Sequence, residues 1–396
     1  MAASLAVIAI GTVIGLIVLW PDGSSKDKFK SGVVQKNERA EVTSIASIHC
    51  EGPTPGAVCE RAKIKLLSGP DKGGSGEFTV GGAGSPPDLG VGDDVQVLKN
   101  DFSNQQPLLG DKELGGPQES TLPAGVDSYS FVDFERTGPM VWLLVLFVAM
   151  AILIGRLRGG LSIVGLAASL VIVVVFIVPS ILDGRSPLAV AIVGSLAVML
   201  VTMVLAHGLG PKSAAAALGT SLALVVIVLL GLLFTDLAHL TGFTSEEATF
   251  LQVSDSELSL RGLVLAGLVI GALGVLDDLT LTQASAVLAL RRANATLRAR
   301  ALYRGALEVG RDHITATINT LVLAYVGASL PILLVFSVGD LPFRDAVNKE
   351  VIAEQIVATL VGSIGLMAAV PMTTGLAAIL AVGIPAAAIA TDGHEH

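Results

Sequence analysis

Apolar residues gather into eight long runs, at 2–20, 139–155, 161–179, 188–206, 214–234, 262–290, 314–337 and 356–384. A helix rises about 1.5 Å per residue, so roughly 17–25 apolar residues cross a hydrocarbon core. Each run therefore predicts a transmembrane helix. Pro139, at the head of the second run, suits a first helical turn. The runs at 262–290 and 356–384 are too long for one straight crossing.

Between the first two runs the pattern turns polar and strand-like. Residues 32–41 with Val42, Ala62–Leu67, Glu77–Val80 and Val95–Leu98 are short β-favouring stretches. Turn-forming clusters such as Ser68-Gly69-Pro70-Asp71 and Gly90-Val91-Gly92-Asp93-Asp94 separate them. Short strands with frequent turns predict a small β-rich domain, barrel or OB-like. Residues 101–138 lack periodicity and read as a linker returning to the membrane. Cys50 and Cys59, the chain's two cysteines, flank Glu51-Gly52-Pro53-Thr54-Pro55. A disulfide suits them better than zinc, which would need two more ligands where His49 is the domain's sole histidine.

The expected architecture is an all-α polytopic membrane protein of about eight transmembrane helices. A small extracytoplasmic β-rich domain is inserted after the first helix. The domains are an anchor helix at 1–20, the β-rich domain and linker at 21–138, a seven-helix membrane domain at 139–384, and a cytoplasmic tail at 385–396. The first run could instead be a cleaved signal peptide, but it lacks a basic leader and exceeds a typical signal core, so an uncleaved anchor is expected.

Charge sharpens this picture. Only 15% of residues are charged, the net charge is −9, and residues 21–138 alone hold 12 Lys/Arg and 18 Asp/Glu. That excludes a simple soluble enzyme, a disordered chain and a basic nucleic-acid binder. Arg156, Arg158, Lys212 and six arginines within 291–311 lie on one side of the runs. Arg185, Arg261, Arg344 and Lys349 lie on the other. The positive-inside rule puts the 291–311 loop and both termini in the cytoplasm and residues 21–138 outside. The first run disagrees taken alone, because Lys26, Lys28 and Lys30 follow it.

Polar groups inside the apolar runs carry the candidate chemistry. One straight helix over 262–290 would extend about 43 Å, and Asp277 and Asp278 stand within it. Each costs at least about 2.5 kcal/mol on insertion, so each needs water, a partner or an ion. Adjacent helical residues point about 100° apart, so the two cannot face one neighbour. A helix break there would let Thr280, Thr282, Gln283 and freed carbonyls complete an oxygen-rich ion or substrate site, as broken helices do in many transporters. Alternatively, the helix ends at Leu276 and the acids cap a cytoplasmic helix. Asn319, in the seventh run, is a further candidate ligand beside its plain reading as an interhelical hydrogen bond. Ser329-Leu330-Pro331 interrupts that run's far half. Pro371, followed by Thr373 and Thr374, predicts a break or kink in the last run, read as one kinked span rather than a re-entrant hairpin. Gly267 and Gly271 suit close helix packing. Glu350 and Glu354 precede the last run and either line a vestibule or are simply solvated.

No phosphate loop, HExxH or nucleophile elbow occurs, and the two acids are too close in sequence to converge from different helices. Enzymatic activity is not expected, nor is a cofactor. Whether a metal binds stays open; oxygen donors suit protons, Na⁺, Mg²⁺ or Mn²⁺ better than soft metals. The expected partners are the lipid bilayer and a small cation or proton, with a further copy of the chain as a candidate and nucleic acid excluded.

The strings GVLDDLTLTQAS (274–285), EVGRDH (308–313), NTLVLAY (319–325) and LVGSIGL (360–366) resemble the YibE/F-like family of prokaryotic multi-pass membrane proteins. The resemblance covers roughly 140–384 and implies a bacterial plasma-membrane protein with several spans. It implies little about activity. Because both acids stand in the resembling string, it favours a shared structural or transport role for them. Two functions follow as expectations: a secondary transporter or permease with a cation- or proton-coupled acidic site, and a non-transporting scaffold or sensor whose outer β domain binds a partner.

Overall fold

The computed structural model describes residues 2–23, 37–50, 58–81, 87–100, 128–208, 210–254, 258–339 and 342–383. The chain divides into two compact units, Met1–Phe29 with Ala151–His396, and Lys30–Met150. Residues 101–127 of the linker expected at 101–138, Val33 and Val34, and the tail at 385–396 lie outside the described residues.

In the second unit, β1 (Glu38–His49), β2 (Val58–Leu66), β3 (Ser75–Gly81), β4 (Asp94–Lys99) and β5 (Tyr129–Phe134) form one antiparallel sheet. Its order is β3-β2-β1-β4-β5. The sheet curls into a half-barrel whose edge strands approach each other: the Glu77 amide of β3 donates to Ser128 Oγ, beside β5, at 3.2 Å. Inside the curl, alternate residues (Ala40, Val42, Ala62, Ile64, Phe78, Val95, Val97) form the core. Four strands match the sequence signals, although β1 runs on to His49. The fifth corrects the linker reading: Tyr129 is buried, and Phe131 and Phe134 pack at the core's margin, so burial of rings stabilises a strand too short to show a period. Cys50 and Cys59 are joined, Cα atoms 5.2 Å apart, tying the end of β1 to the start of β2.

The other described elements are helical. They are α1 (Ala2–Val18), α2 (Thr137–Ile172), a π-helical stretch at Val173–Ile177, α3 (Val178–Leu182), α4 (Pro187–His207) and α5 (Pro211–Leu237). There follow α6 (Glu246–Ser254), α7 (Leu260–Ala293), α8 (Ala299–Ala328), α9 (Leu330–Val338), α10 (Phe343–Val347) and α11 (Glu350–Gly383). Among the described residues six segments are long and apolar enough to cross a membrane: Thr137–Leu157, Gly159–Leu182, Pro187–Ala206, Pro211–Leu237, Leu260–Ala293 and Glu350–Gly383. The first two are parts of α2 and its continuation, parted where Arg156 leaves helical geometry (φ 52°). α8 and α9 bend by 58° where Ser329-Leu330-Pro331 interrupts the run, and taken as one span they make a seventh. α1 is a shorter apolar helix.

The break expected in α7 is absent, and the last run is one helix without a break at Pro371, as the single-span reading has it. α7 is helical from Leu260 to Ala293, through Asp277 and Asp278, and α11 is helical from Glu350 to Gly383, through Pro371. Ser259 caps α7 by accepting from the Gly262 amide at 3.0 Å, and Arg291 closes its far end by donating to the Leu297 carbonyl at 2.8 Å. Proline removes one helical donor. Val370, Ala369, Thr373 and Thr374 are nonetheless buried around it, and this packing holds the helix together. The bundle core centres on α5, α7 and α11, with Met199 and Met203 of α4 and Leu302 and Ala306 of α8 packed against them.

Candidate functional site in the helical bundle

Helical spacing sorts the polar residues of α7 onto different faces. Asp277 is half-buried, Asp278 is exposed, Thr280 and Gln283 are wholly buried, and Thr282 is half-buried. Asp277, Thr280 and Gln283 follow at intervals of three, so each step turns about 60° back around the helix. They meet three different neighbours in succession.

Asp277 faces α4, where the Thr202 hydroxyl lies 3.1 Å from Oδ2. That hydroxyl also lies 2.9 Å from the Val198 carbonyl and 3.1 Å from that of Met199. A threonine hydroxyl has one proton to give, so three acceptors compete for it. The other carboxylate oxygen, Oδ1, is buried without a hydrogen-bond partner. One turn on, Thr280 and Thr220 of α5 share a hydrogen bond of 2.7 Å, both wholly buried. A further turn on, Gln283 Oε1 accepts from Thr374 of α11 at 3.1 Å, while its Nε2 is buried without a partner.

Two glycines make this convergence sterically feasible. A Cβ at Gly219 of α5 would stand 1.9 Å from Thr373 Oγ1 and 3.1 Å from the Thr373 Cα, so α5 and α11 touch backbone to backbone there. A Cβ at Gly310 of α8 would stand 2.8 Å from Gln283 Oε1, so the amide occupies the space that a side chain would take. Thr373 Oγ1, next to the Gly219 contact, is also buried without a partner.

The result is a polar seam through an apolar bundle, running Thr202–Asp277, Thr280–Thr220 and Gln283–Thr374. Of the residues singled out in the sequence, Asp277, Thr280, Gln283 and Thr374 belong to it. Thr373 and Thr374, expected at a helix break, instead sit within an intact helix, where Thr374 meets Gln283 and Thr373 packs against Gly219 of α5. Asp278 points out of the bundle, Thr282 has no hydrogen bond to the seam, and Asn319 is exposed on α8. Thr202, Thr220 and Gly310 were not singled out. Their signal was faint: single hydroxyls in apolar runs and one glycine in an amphipathic helix are usual packing features. Among the described residues no three His, Cys, Asp or Glu side chains converge on a metal-sized site. The seam thus offers one carboxylate among neutral oxygens. Buried polar atoms without partners cost about 1–3 kcal/mol each; Asp277 Oδ1 could accept from a proton, cation or water, and Gln283 Nε2 could donate to a water.

No curated protein and no solved structure matches the chain. Several long apolar helices mark it as a membrane protein. The family model described as YibE/F-like protein matches residues 143–383, which include every helix of the seam, and the chain belongs to that family.

Proposed function

We propose that this YibE/F-like chain is a multi-pass protein of the bacterial plasma membrane that works as a secondary transporter or permease, coupled to a proton or small cation at Asp277. The observation that carries this reading is the Asp277 carboxylate. One of its oxygens shares a threonine proton with two carbonyls and the other is buried without a partner, on a half-buried residue of an otherwise apolar bundle. A permanently buried structural acid would be expected to have both oxygens satisfied. An acid that takes up and gives away a cation or proton must leave a lone pair free. The single carboxylate with a hydroxyl neighbour suits a proton or Na⁺ better than a divalent ion, which favours several carboxylates.

The distribution of Lys and Arg supports cytoplasmic termini and an outer position for residues 21–138, and a disulfide in that segment suits an oxidising compartment. No bond-making chemistry is assigned to the seam.

Reconstituted vesicles test the reading. Full-length protein is placed in liposomes holding dyes for H⁺, Na⁺, Mg²⁺ and Mn²⁺, and gradients are imposed one at a time. Wild type is expected to dissipate at least one gradient, and Asp277→Asn to slow that flux at least about tenfold while eluting and melting like wild type. Equal flux in the two proteins, or no flux of any of the four ions, would sink the proposal. A second reading, a scaffold or sensor, is favoured by the separate hydrophobic core of the half-barrel. It requires that deleting 21–138 abolish the cellular phenotype even where flux persists.

A further inference from the structure

Away from the seam, a cavity of about 330 Å³ opens between α6, the first turns of α7, the first turns of α11 and Tyr325 of α8. Its walls are apolar where Leu251, Leu263, Val264 and Val357 line it. Its polar part comprises two carboxylates, Glu354 and the exposed Glu247, with Thr244, Ser245 and Gln355, and Tyr325 also lines it. None of the lining residues is basic.

Glu247 is exposed, and two other nearby charges are engaged elsewhere. Glu350 accepts from the Gly242 amide at 2.7 Å and from the Thr241 hydroxyl, so it fastens the α5–α6 loop over α11. Arg261 is turned to Asp236 at 3.0 Å. Glu354 accepts one hydrogen bond, from Thr244 at 3.1 Å on its Oε2. A carboxylate can accept several, so capacity for a ligand remains.

The volume lies at the lower end of the range for small-molecule sites, about 300–1,000 Å³. Apolar walls cannot replace the hydration shell of an inorganic ion, which needs several oxygen donors. They can hold the apolar body of an organic ligand while one carboxylate pairs with its charge, and an aromatic ring beside a cation adds attraction. We propose that this cavity binds a small organic ammonium ion with an apolar body, with Glu354 as its counter-ion. The site does not rest on the transport reading, since a sensor could equally use it.

The test uses the purified full-length chain and two probes of one shape, phenylethylammonium and neutral 2-phenylethanol. Both native cysteines are in the disulfide, so Ser245→Cys adds a single free thiol at the cavity's lining. The ammonium is expected to bind saturably by calorimetry and to protect that thiol from a maleimide, and the alcohol to do neither. Glu354→Gln should weaken ammonium binding at least about tenfold, as loss of a buried charge pair does. Val264→Phe, which fills the cavity and leaves the charge, should abolish protection. Equal behaviour of the two probes on the wild-type background, or binding without protection, would overturn the proposal even if the Glu354 variant failed to fold. Because these readouts involve no flux, their failure and the failure of the transport reading are separable.

Discussion

The Asp277 carboxylate is served on one oxygen by Thr202 and left unpartnered on the other, while Asp278, about 100° further round the helix, is exposed. Replacing each in turn separates their roles. Asp277→Asn should abolish coupled flux, whereas Asp278→Asn should retain most of it in the same vesicle assay; the reverse ranking would move the site to the outside of the bundle. Thr202→Val should also impair flux by leaving both carboxylate oxygens without a protein donor. At Gly219 the constraint is steric. Since a Cβ would stand 1.9 Å from Thr373 Oγ1 and 3.1 Å from its Cα, Gly219→Val must push α5 and α11 apart. Overpacking of this kind costs about 1–3 kcal/mol, read as a lowered melting temperature in detergent. An unchanged melt would mean that the helices are looser than this contact requires.

Elements differ in how openly the sequence announced them. The long apolar helices were plain, because a run of apolar residues needs no partner to declare itself. The bend at Ser329-Leu330-Pro331 was legible for the same local reason. That α11 is one span was also read, but the continuity of α7 through its acids, and of α11 at Pro371 without a break, was not. A proline or a pair of acids is read locally as a break, whereas the offsetting terms are tertiary: burial around Pro371 and the Thr202 partner for Asp277. The strand β5 was missed because its support is tertiary: the ladder with β4, distant in sequence, and the contacts of Ser128 and Tyr129 with β3. In the half-barrel, Lys99 of β4 pairs with Asp71, which also accepts from Tyr129 at 3.3 Å. The Lys99 ammonium, by hydrogen bond and charge, holds the Asp71 carboxyl below its ordinary range, and Asp71 raises Lys99 in return. The sign follows from linkage. Asp71's contribution is present above the unfolded carboxyl value of about 3.9 and fades as pH falls through the lower folded value. Lys99's contribution is present below about 10.4 and fades as pH rises through its raised folded value. Hydrogen exchange at β4 should therefore be faster in Lys99→Met than in wild type at neutral pH, by a small factor because the pair is exposed. The two should converge at the acid extreme. A difference that persists there would mean that Lys99 acts through packing.

At the scale of the whole molecule, one helical unit carries both the seam and the Glu354 cavity, while the half-barrel has its own core and a disulfide closing its β1–β2 connection. A transporter built this way should keep measurable flux when residues 21–138 are replaced by a short polar linker, and a sensor should lose its response. For Asp277 to carry transport, water and a cation must reach a seam whose Thr280 and Gln283 are wholly buried in this structure. Thr280 tests it most directly, being wholly buried and one turn from Asp277. A membrane-impermeant thiol reagent would be applied to Thr280→Cys in intact cells and in inverted vesicles, with and without each ion. Slow labelling from at least one side is expected, suppressed by the ion whose flux Asp277 controls. A folded Thr280→Cys protein that labels from neither side, while Asp278→Cys labels readily, would contradict it.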